Sequence, residues 1–255
     1  MPAIAKGRTD VPLINQTIGD NLEATVKKFA EREALVMPHQ GIRWTYAQLN
    51  AEVDRLARGL IARGFEKGDR VGVWAPNVSE WILAQYATAK IGVIQVNINP
   101  AYRSNELSYA LKQSGCKGLI ASRRFKTSDY VKMLGGVRDQ CPDLQQAIFL
   151  DDEGKPGDWA ALLADGESVS ADALKTRMAS LSPNEPINIQ YTSGTTGAPK
   201  GATLSHRNIL NNALFDGHSM KLSEQDRFCV PVPFYHCAGM VCGNLMATIL
   251  IRAKR

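Results

Sequence analysis

The eleven residues Tyr191-Thr192-Ser193-Gly194-Thr195-Thr196-Gly197-Ala198-Pro199-Lys200-Gly201 organise the reading of this chain. Four Ser and Thr hydroxyls (Thr192, Ser193, Thr195, Thr196) precede the first proline of the stretch, three glycines punctuate it and one lysine closes it. Glycine lets main-chain N–H groups approach a ligand closely, hydroxyls add donors, and a lysine supplies a mobile point charge suited to phosphate. The stretch therefore reads as a polyphosphate-holding loop. A solvated Gly/Ser/Thr linker is the plain alternative. A linker has no need of the apolar run Ile187–Tyr191 before it or of a stiff Pro-Lys-Gly after it.

Upstream, apolar strand-like runs alternate with helix-like periods. The spacing predicts a helix over Leu22–Arg32, a hairpin from strands at 34–37 and 42–46, and an amphipathic helix over Tyr46–Arg63. Strands are expected at Arg70–Ala75, Gly92–Val96, Lys117–Ala121 and Ala147–Leu150. Helices are expected at Ser79–Ile91, at Ser104–Ser114 with Ser104 as N-cap, and around Tyr130–Arg138. Asp151–Asn184 reads as a polar excursion with one weak helix at Trp159–Leu163. Downstream, strand Ile187–Tyr191, an extended piece Ala202–Leu204, a helix from Ser205 or His206 to about Phe215, a strand Arg227–Val232 and a helix Gly239–Leu250 complete the list. The alternation is that of an α/β fold, with parallel or mixed sheets flanked by helices.

The whole chain has 255 residues, 44% of them hydrophobic and 22% charged, an ordinary globular composition with ample core. A net charge of +5, scattered along the chain, argues against a nucleic-acid partner. Five cysteines (116, 141, 229, 237, 242) form no C-x-x-C pair and read as buried thiols of a reducing compartment. His236 with Cys237 and Cys242 reads as core rather than metal. The N-terminus carries no apolar signal core, and the longest apolar run, Ala238–Ile251, is too short for a transmembrane segment. The expected setting is cytoplasmic.

Three familiar phosphate loops fail against residues 191–201. A Walker A loop needs glycine before the lysine and Ser or Thr after it, whereas Pro199 and Gly201 stand there. No G-x-G-x-x-G is present, and no V-A-I-K or H-R-D follows as in a kinase. The stretch instead resembles the phosphate-binding signature of the adenylate-forming, AMP-binding enzymes. The likeness continues in Gly201–Asn208 and in Pro233-Phe234-Tyr235-His236-Cys237-Ala238-Gly239, and upstream in Gly68-Asp69-Arg70-Val71 and the Val93–Pro100 turn with Glu106-Leu107. Residues 188–209 with Phe234–Gly239 look most similar to the medium-chain fatty acyl-CoA synthetases, and the likeness covers nearly all of Leu22–Leu250.

This resemblance implies a reaction in two halves. A carboxylate attacks the α-phosphorus of ATP to give acyl-AMP and pyrophosphate, and coenzyme A thiolate then displaces AMP. Thr192, Ser193, Gly194, Thr195, Thr196, Gly197, Ala198, Pro199 and Lys200 would wrap the phosphates, with Lys200 supplying charge and the Thr195 hydroxyl a ligand to Mg²⁺. His236 would lie beside the reacting carboxylate as a second catalytic group. Phe234, Tyr235 and Gly239 read equally as the wall of an acyl pocket or as core, while Ser205 and His206 read as structural.

The family's fold is about twice as long as this chain. Its later acidic Mg²⁺ ligand, ribose-binding aspartate and mobile C-terminal domain have no counterpart before Arg255. The resemblance thus implies an incomplete N-terminal part, with 1–186 the N-terminal α/β region and 187–255 the phosphate-loop and acyl-site segment of the same domain, inactive alone. A non-catalytic nucleotide- or subunit-binding partner, and a piece of an aryl- or amino-acid-adenylating enzyme, are the competing readings. No acid occurs in Phe234–Leu245, which favours an apolar acyl chain over an amino acid. Fatty acid, ATP and coenzyme A are the expected ligands. Self-association or a complementing C-terminal part is the expected cover for exposed apolar surface.

Overall fold

A computed structural model describes residues 12–151, 156–192 and 198–252. The chain opens with α1 (Ile18–Phe29), the strands β1 (Glu33–Met37) and β2 (Ile42–Thr45), and α2 (Tyr46–Ala62). Strand and helix then alternate through β3 (Arg70–Trp74), α3 (Ser79–Ile91), β4 (Ile94–Asn97), α4 (Ser104–Ser114) and β5 (Gly118–Ala121). The short strands β6 (Arg124–Phe125) and β7 (Ser128–Asp129), α5 (Tyr130–Gly135) and β8 (Gln146–Phe149) follow, then α6 (Asp158–Asp165) and α7 (Ala171–Ala179). β9 (Pro186–Thr192) and β10 (Lys200–Ser205) flank the Gly/Thr loop and lead into α8 (His206–Ser219). The last helical run is α9 (Cys237–Gly239), a π-helical stretch Met240–Leu245 and α10 (Met246–Arg252).

Six strands form one mixed sheet in the order β10-β9-β4-β3-β5-β8. All neighbours are parallel except β10, which pairs antiparallel with β9 and forms the edge. Period-2 alternation sends side chains to two cores. Val71, Val73, Ile120, Ile148 and Ile187 face the larger, built by α1, α2, α3, α8 and the last helix. Trp74, Val96, Leu119 and Ile189 face the smaller, closed by α4 and α5. Three helices begin with reciprocal capping boxes: Thr17 with Asp20, Thr45 with Gln48, and Ser205 with Asn208.

Several expectations shift. Ser104 is inside α4, and Arg103 holds the cap position, its backbone N–H taken by Glu106. The excursion after β8 holds a second helix, α7, whose Leu174 joins the larger core with Trp159 and Leu162 of α6. Arg227–Val232 forms no strand: its residues are mostly exposed, no described strand lies beside it, and Pro231 lacks an N–H for a ladder. Of the thiols, Cys116 and Cys141 are buried, whereas Cys229 and Cys237 are exposed.

Candidate functional site

The site is built at the carboxyl ends of the parallel strands, where open α/β sheets place their ligands. β9 rises through the sheet and leaves it at Thr192; the chain re-enters at Lys200, directly opposite Thr192 in the antiparallel register. Thr192 Oγ1 donates to the Lys200 carbonyl at 3.4 Å, closing the mouth of the loop. Gly201 lies opposite Tyr191, and a Cβ there would stand 2.9 Å from Ile189 Cγ2. Thr192, Ala198 and Lys200 are exposed, and no contact among the described residues engages the Lys200 ammonium. Ser193, Gly194, Thr195, Thr196 and Gly197 lie outside the described residues.

The second part of the site is the segment from Val232 to Gly239. Two asparagines at strand ends hold it. Asn77, just beyond β3, accepts from the Phe234 N–H at 2.8 Å and donates to the Val232 carbonyl at 2.9 Å. Asn97, the last residue of β4, donates to the Tyr235 carbonyl at 3.0 Å and accepts from Gln95 and from Asn188 of β9, each at 2.9 Å. Since Asn97 is also the parallel-register partner of Gln190, one amide ties the residue before His236 to the strand that feeds the loop. Behind it, Gln95 and Asn188, whose Oε1 and Oδ1 have no protein partner, line a cavity of about 10 Å³, room for a single water.

His236 is exposed and precedes α9. Its Nδ1 accepts from the Ala238 N–H at 3.2 Å, so the neutral ring carries its proton on Nε2, a donor suited to an anionic oxygen. Phe234 is 4% exposed and packs on Trp81 with ring centroids 5.7 Å apart, inside the larger core. Tyr235 is half-buried. Gly239 has no alternative: a Cβ would meet the Pro233 carbonyl oxygen at 2.3 Å and the Phe234 Cα at 2.9 Å. A Gly239→Ala variant is therefore expected to lose about 1–3 kcal/mol of stability through forced backbone movement, checked by urea unfolding against the parent.

Asp216 of α8 is a feature the sequence window missed. Its Oδ2 accepts from the Cys242 thiol at 2.9 Å. Burial first, and this carboxylate second, push the Cys242 thiol up to about 12. Thus an acid does touch the helical run after His236, although it comes from the preceding helix, 26 positions before Cys242. Among the described residues no group of three His, Cys, Asp or Glu side chains is arranged to hold a metal, and no helix is long and apolar enough to cross a membrane.

Comparison with known proteins bears on this geometry. The model of a family described as AMP-binding enzyme matches residues 22–253. A medium-chain acyl-CoA ligase (ACSF2, mitochondrial) of Rattus norvegicus is 42% identical over 96% of this chain, which covers 43% of that protein. A putative acyl-CoA synthetase, YngI, of Bacillus subtilis is 40% identical over 91% of this chain and 45% of its own length. In structure, the N-terminal domain of FACL13 from Mycobacterium tuberculosis superposes with a TM-score of 0.73 at 27% identity, over 92% of this chain and 55% of that one. The chain spans less than half the length of the curated relatives it matches.

Proposed function

The chain belongs to the AMP-binding enzyme family, and on that footing we propose that it is the N-terminal part of an ATP-dependent fatty acid–CoA ligase. One observation carries the reading: Asn97 ties the Tyr235–His236 backbone to β9, so that a glycine-rich loop ending in an exposed lysine and an exposed histidine sit at the ends of adjacent strands. Two anions, a carboxylate and a triphosphate, must meet in the first half-reaction, and fixed positive charge and donors are what such an encounter needs. Residues 192–200 cradle the β- and γ-phosphates, and Lys200 offsets their charge. His236 donates from Nε2 to an oxygen of the carboxylate or of the α-phosphate. Thr195 contributes one hydroxyl oxygen to Mg²⁺, an ion that commonly shares its shell between few protein oxygens and substrate phosphates. Tyr235 and Gly239 shape the entry to the acyl pocket, with Phe234 as its packed floor. In this reading 1–186 is the N-terminal α/β region and 187–255 the loop and acyl segment of one domain, acting in the cytoplasm with coenzyme A as second substrate.

ATP titrated into the 255-residue chain is expected to bind saturably and to be displaced by pyrophosphate. Lys200→Met should weaken binding roughly ten- to hundredfold, the worth of a charge-assisted contact. In the longer protein, exchange of pyrophosphate into ATP should require a fatty acid. Absence of ATP binding by the folded chain sinks the reading. Amino-acid adenylation stays as a second reading because Asp216 reaches the segment at Cys242; exchange supported by amino acids and not by fatty acids would select it. Binding of ATP without exchange for any acid would select a non-catalytic nucleotide-binding role.

A further inference from the structure

The exit of the loop is held from outside the sheet. β10 is an edge strand, and Lys200, Gly201, Ala202 and Thr203 are exposed, so beyond its ladder to β9 the strand has little of its own to fix it. Pro199 has no N–H, which leaves its carbonyl as the one backbone group through which it can be hydrogen-bonded. That carbonyl accepts from the hydroxyl of Tyr109, on α4, at 2.9 Å. The same hydroxyl accepts from Gln113 Nε2, one turn along α4, at 2.8 Å, which orients its proton toward the loop. On the entry side, Tyr191 Oη donates to the Ala110 carbonyl of α4 at 3.1 Å, and the two phenol rings meet edge to face, 6.4 Å apart. The turn that leads into α4 is itself held: Trp74 Nε1 donates to the Asn99 carbonyl, Tyr130 Oη to the Pro100 carbonyl, and the two aromatic rings stack, while Leu107 and Leu111 of α4 join the same core.

We propose that Tyr109 is a positioning residue, which through Pro199 sets where the phosphate-facing Lys200 stands. The proposal rests on the reading of residues 192–200 as a phosphate site. A glycine-rich loop binds anions well only when its ends are held, because ordering it at the moment of binding subtracts from affinity. α4 holds both ends, the entry through Tyr191 and the exit through Tyr109.

The test is Tyr109→Phe, which keeps the ring contact with Tyr191 and deletes both hydrogen bonds of the hydroxyl, to Pro199 and from Gln113, with Gln113→Ala as a milder variant that removes the second alone and leaves the hydroxyl free to donate to Pro199. Hydrogen exchange of the amides in Lys200–Leu204 should speed up about two- to tenfold in Tyr109→Phe and less in Gln113→Ala, with the thermal midpoint unchanged. ATP affinity of the chain should fall by a similar factor. Unaltered exchange in β10 overturns the tether. Altered exchange with unaltered ATP affinity overturns the positioning role. A parent chain that binds no ATP overturns the phosphate reading, and the exchange measurement still decides whether Tyr109 holds the strand.

Discussion

A Glu23→Gln, Asp54→Asn double variant is expected to lose about 3–5 kcal/mol of folding stability, well beyond the loss from Lys90→Met. The Lys90 ammonium is fully buried on α3, where it meets Glu23 of α1, Asp54 Oδ1 of α2 at 2.6 Å and Asn50 Oδ1 at 2.8 Å. Three donors find three acceptors, and one side chain fastens three helices. The burial is one-sided: the Glu23 and Asp54 side chains keep 44% and 35% exposure. Remove the lysine and both carboxylates rehydrate, so Lys90→Met, whose methylene stem still packs, should cost only about 1–2 kcal/mol. Neutralise the carboxylates instead and an ammonium without access to water is left uncompensated, the costly outcome for a buried pair.

Acid should do part of the same work. Burial alone raises the Glu23 carboxyl, but the hydrogen bond and charge of Lys90 outweigh it and hold it below its ordinary 4.5. A depressed carboxyl contributes stability above its unfolded pKa and loses it as pH falls through the folded one, so this contribution fades below about pH 4.5. Urea unfolding of the parent and both variants at neutral pH measures the asymmetry. Lys90→Met proving the costlier change would refute it.

Local signals carried most of the fold. Ser79–Ile91 and Ser104–Ser114 end where the sequence reading ends them, because glycines at 92 and 115 take the left-handed conformation that closes a helix. The same Gly92 moves the start of β4 from the expected 92 to Ile94, since its N–H goes back to the Thr88 carbonyl. What stayed illegible depends on partners distant in sequence. Arg227–Val232 has a β-like composition and finds no strand to pair with among the described residues. α7 shows little apolar periodicity beyond Leu174 and Met178, and those two side chains secure it to the larger core. At the site, the loop and the histidine announce themselves by residue type and spacing. Asn77, Asn97, Tyr109 and Asp216 do not, because an asparagine after a strand or a tyrosine on a helix acquires its role only when residues 90 to 157 positions away arrive beside it, and Asp216 only when Cys242, 26 positions on, turns back toward it. The π-helical stretch after Gly239 is equally silent, as Met-Val-Cys-Gly-Asn-Leu carries no signal that distinguishes it from α-helix.

His206 should make the chain lose about 2 kcal/mol between pH 7 and pH 5, a loss absent from His206→Gln. The ring is fully buried at the start of α8; its Nδ1 accepts from the Ile18 N–H at 3.1 Å, and its Nε2 has no protein partner. Two helix N-termini, those of α1 and α8, converge on it, and their positive ends oppose a positive ring. Burial is the main force lowering its pKa from 6.5 to about 4, while Glu185 and Asp20 pull weakly the other way. Glu185 is engaged by Lys67 at 2.6 Å and Asp20 by the Thr17 capping box, so neither is free to stabilise an imidazolium fully. Above pH 6.5 the ring is neutral in both folded and unfolded chains and the full stability is present. From 6.5 down to about 4 the unfolded chain takes up a proton that the folded chain refuses, at a cost rising by about 1.4 kcal/mol per pH unit; below 4 the folded ring also protonates and the loss stops growing. Glutamine can accept from the Ile18 N–H and does not titrate, so the variant should be less stable at pH 7 yet flatter between pH 6.5 and 4. Chemical unfolding of both proteins across that window reads the difference directly. Equal slopes would mean that the folded ring protonates near 6.5, which would require a charged imidazolium with no water contact to face the Ile18 N–H, two donors pointed at each other.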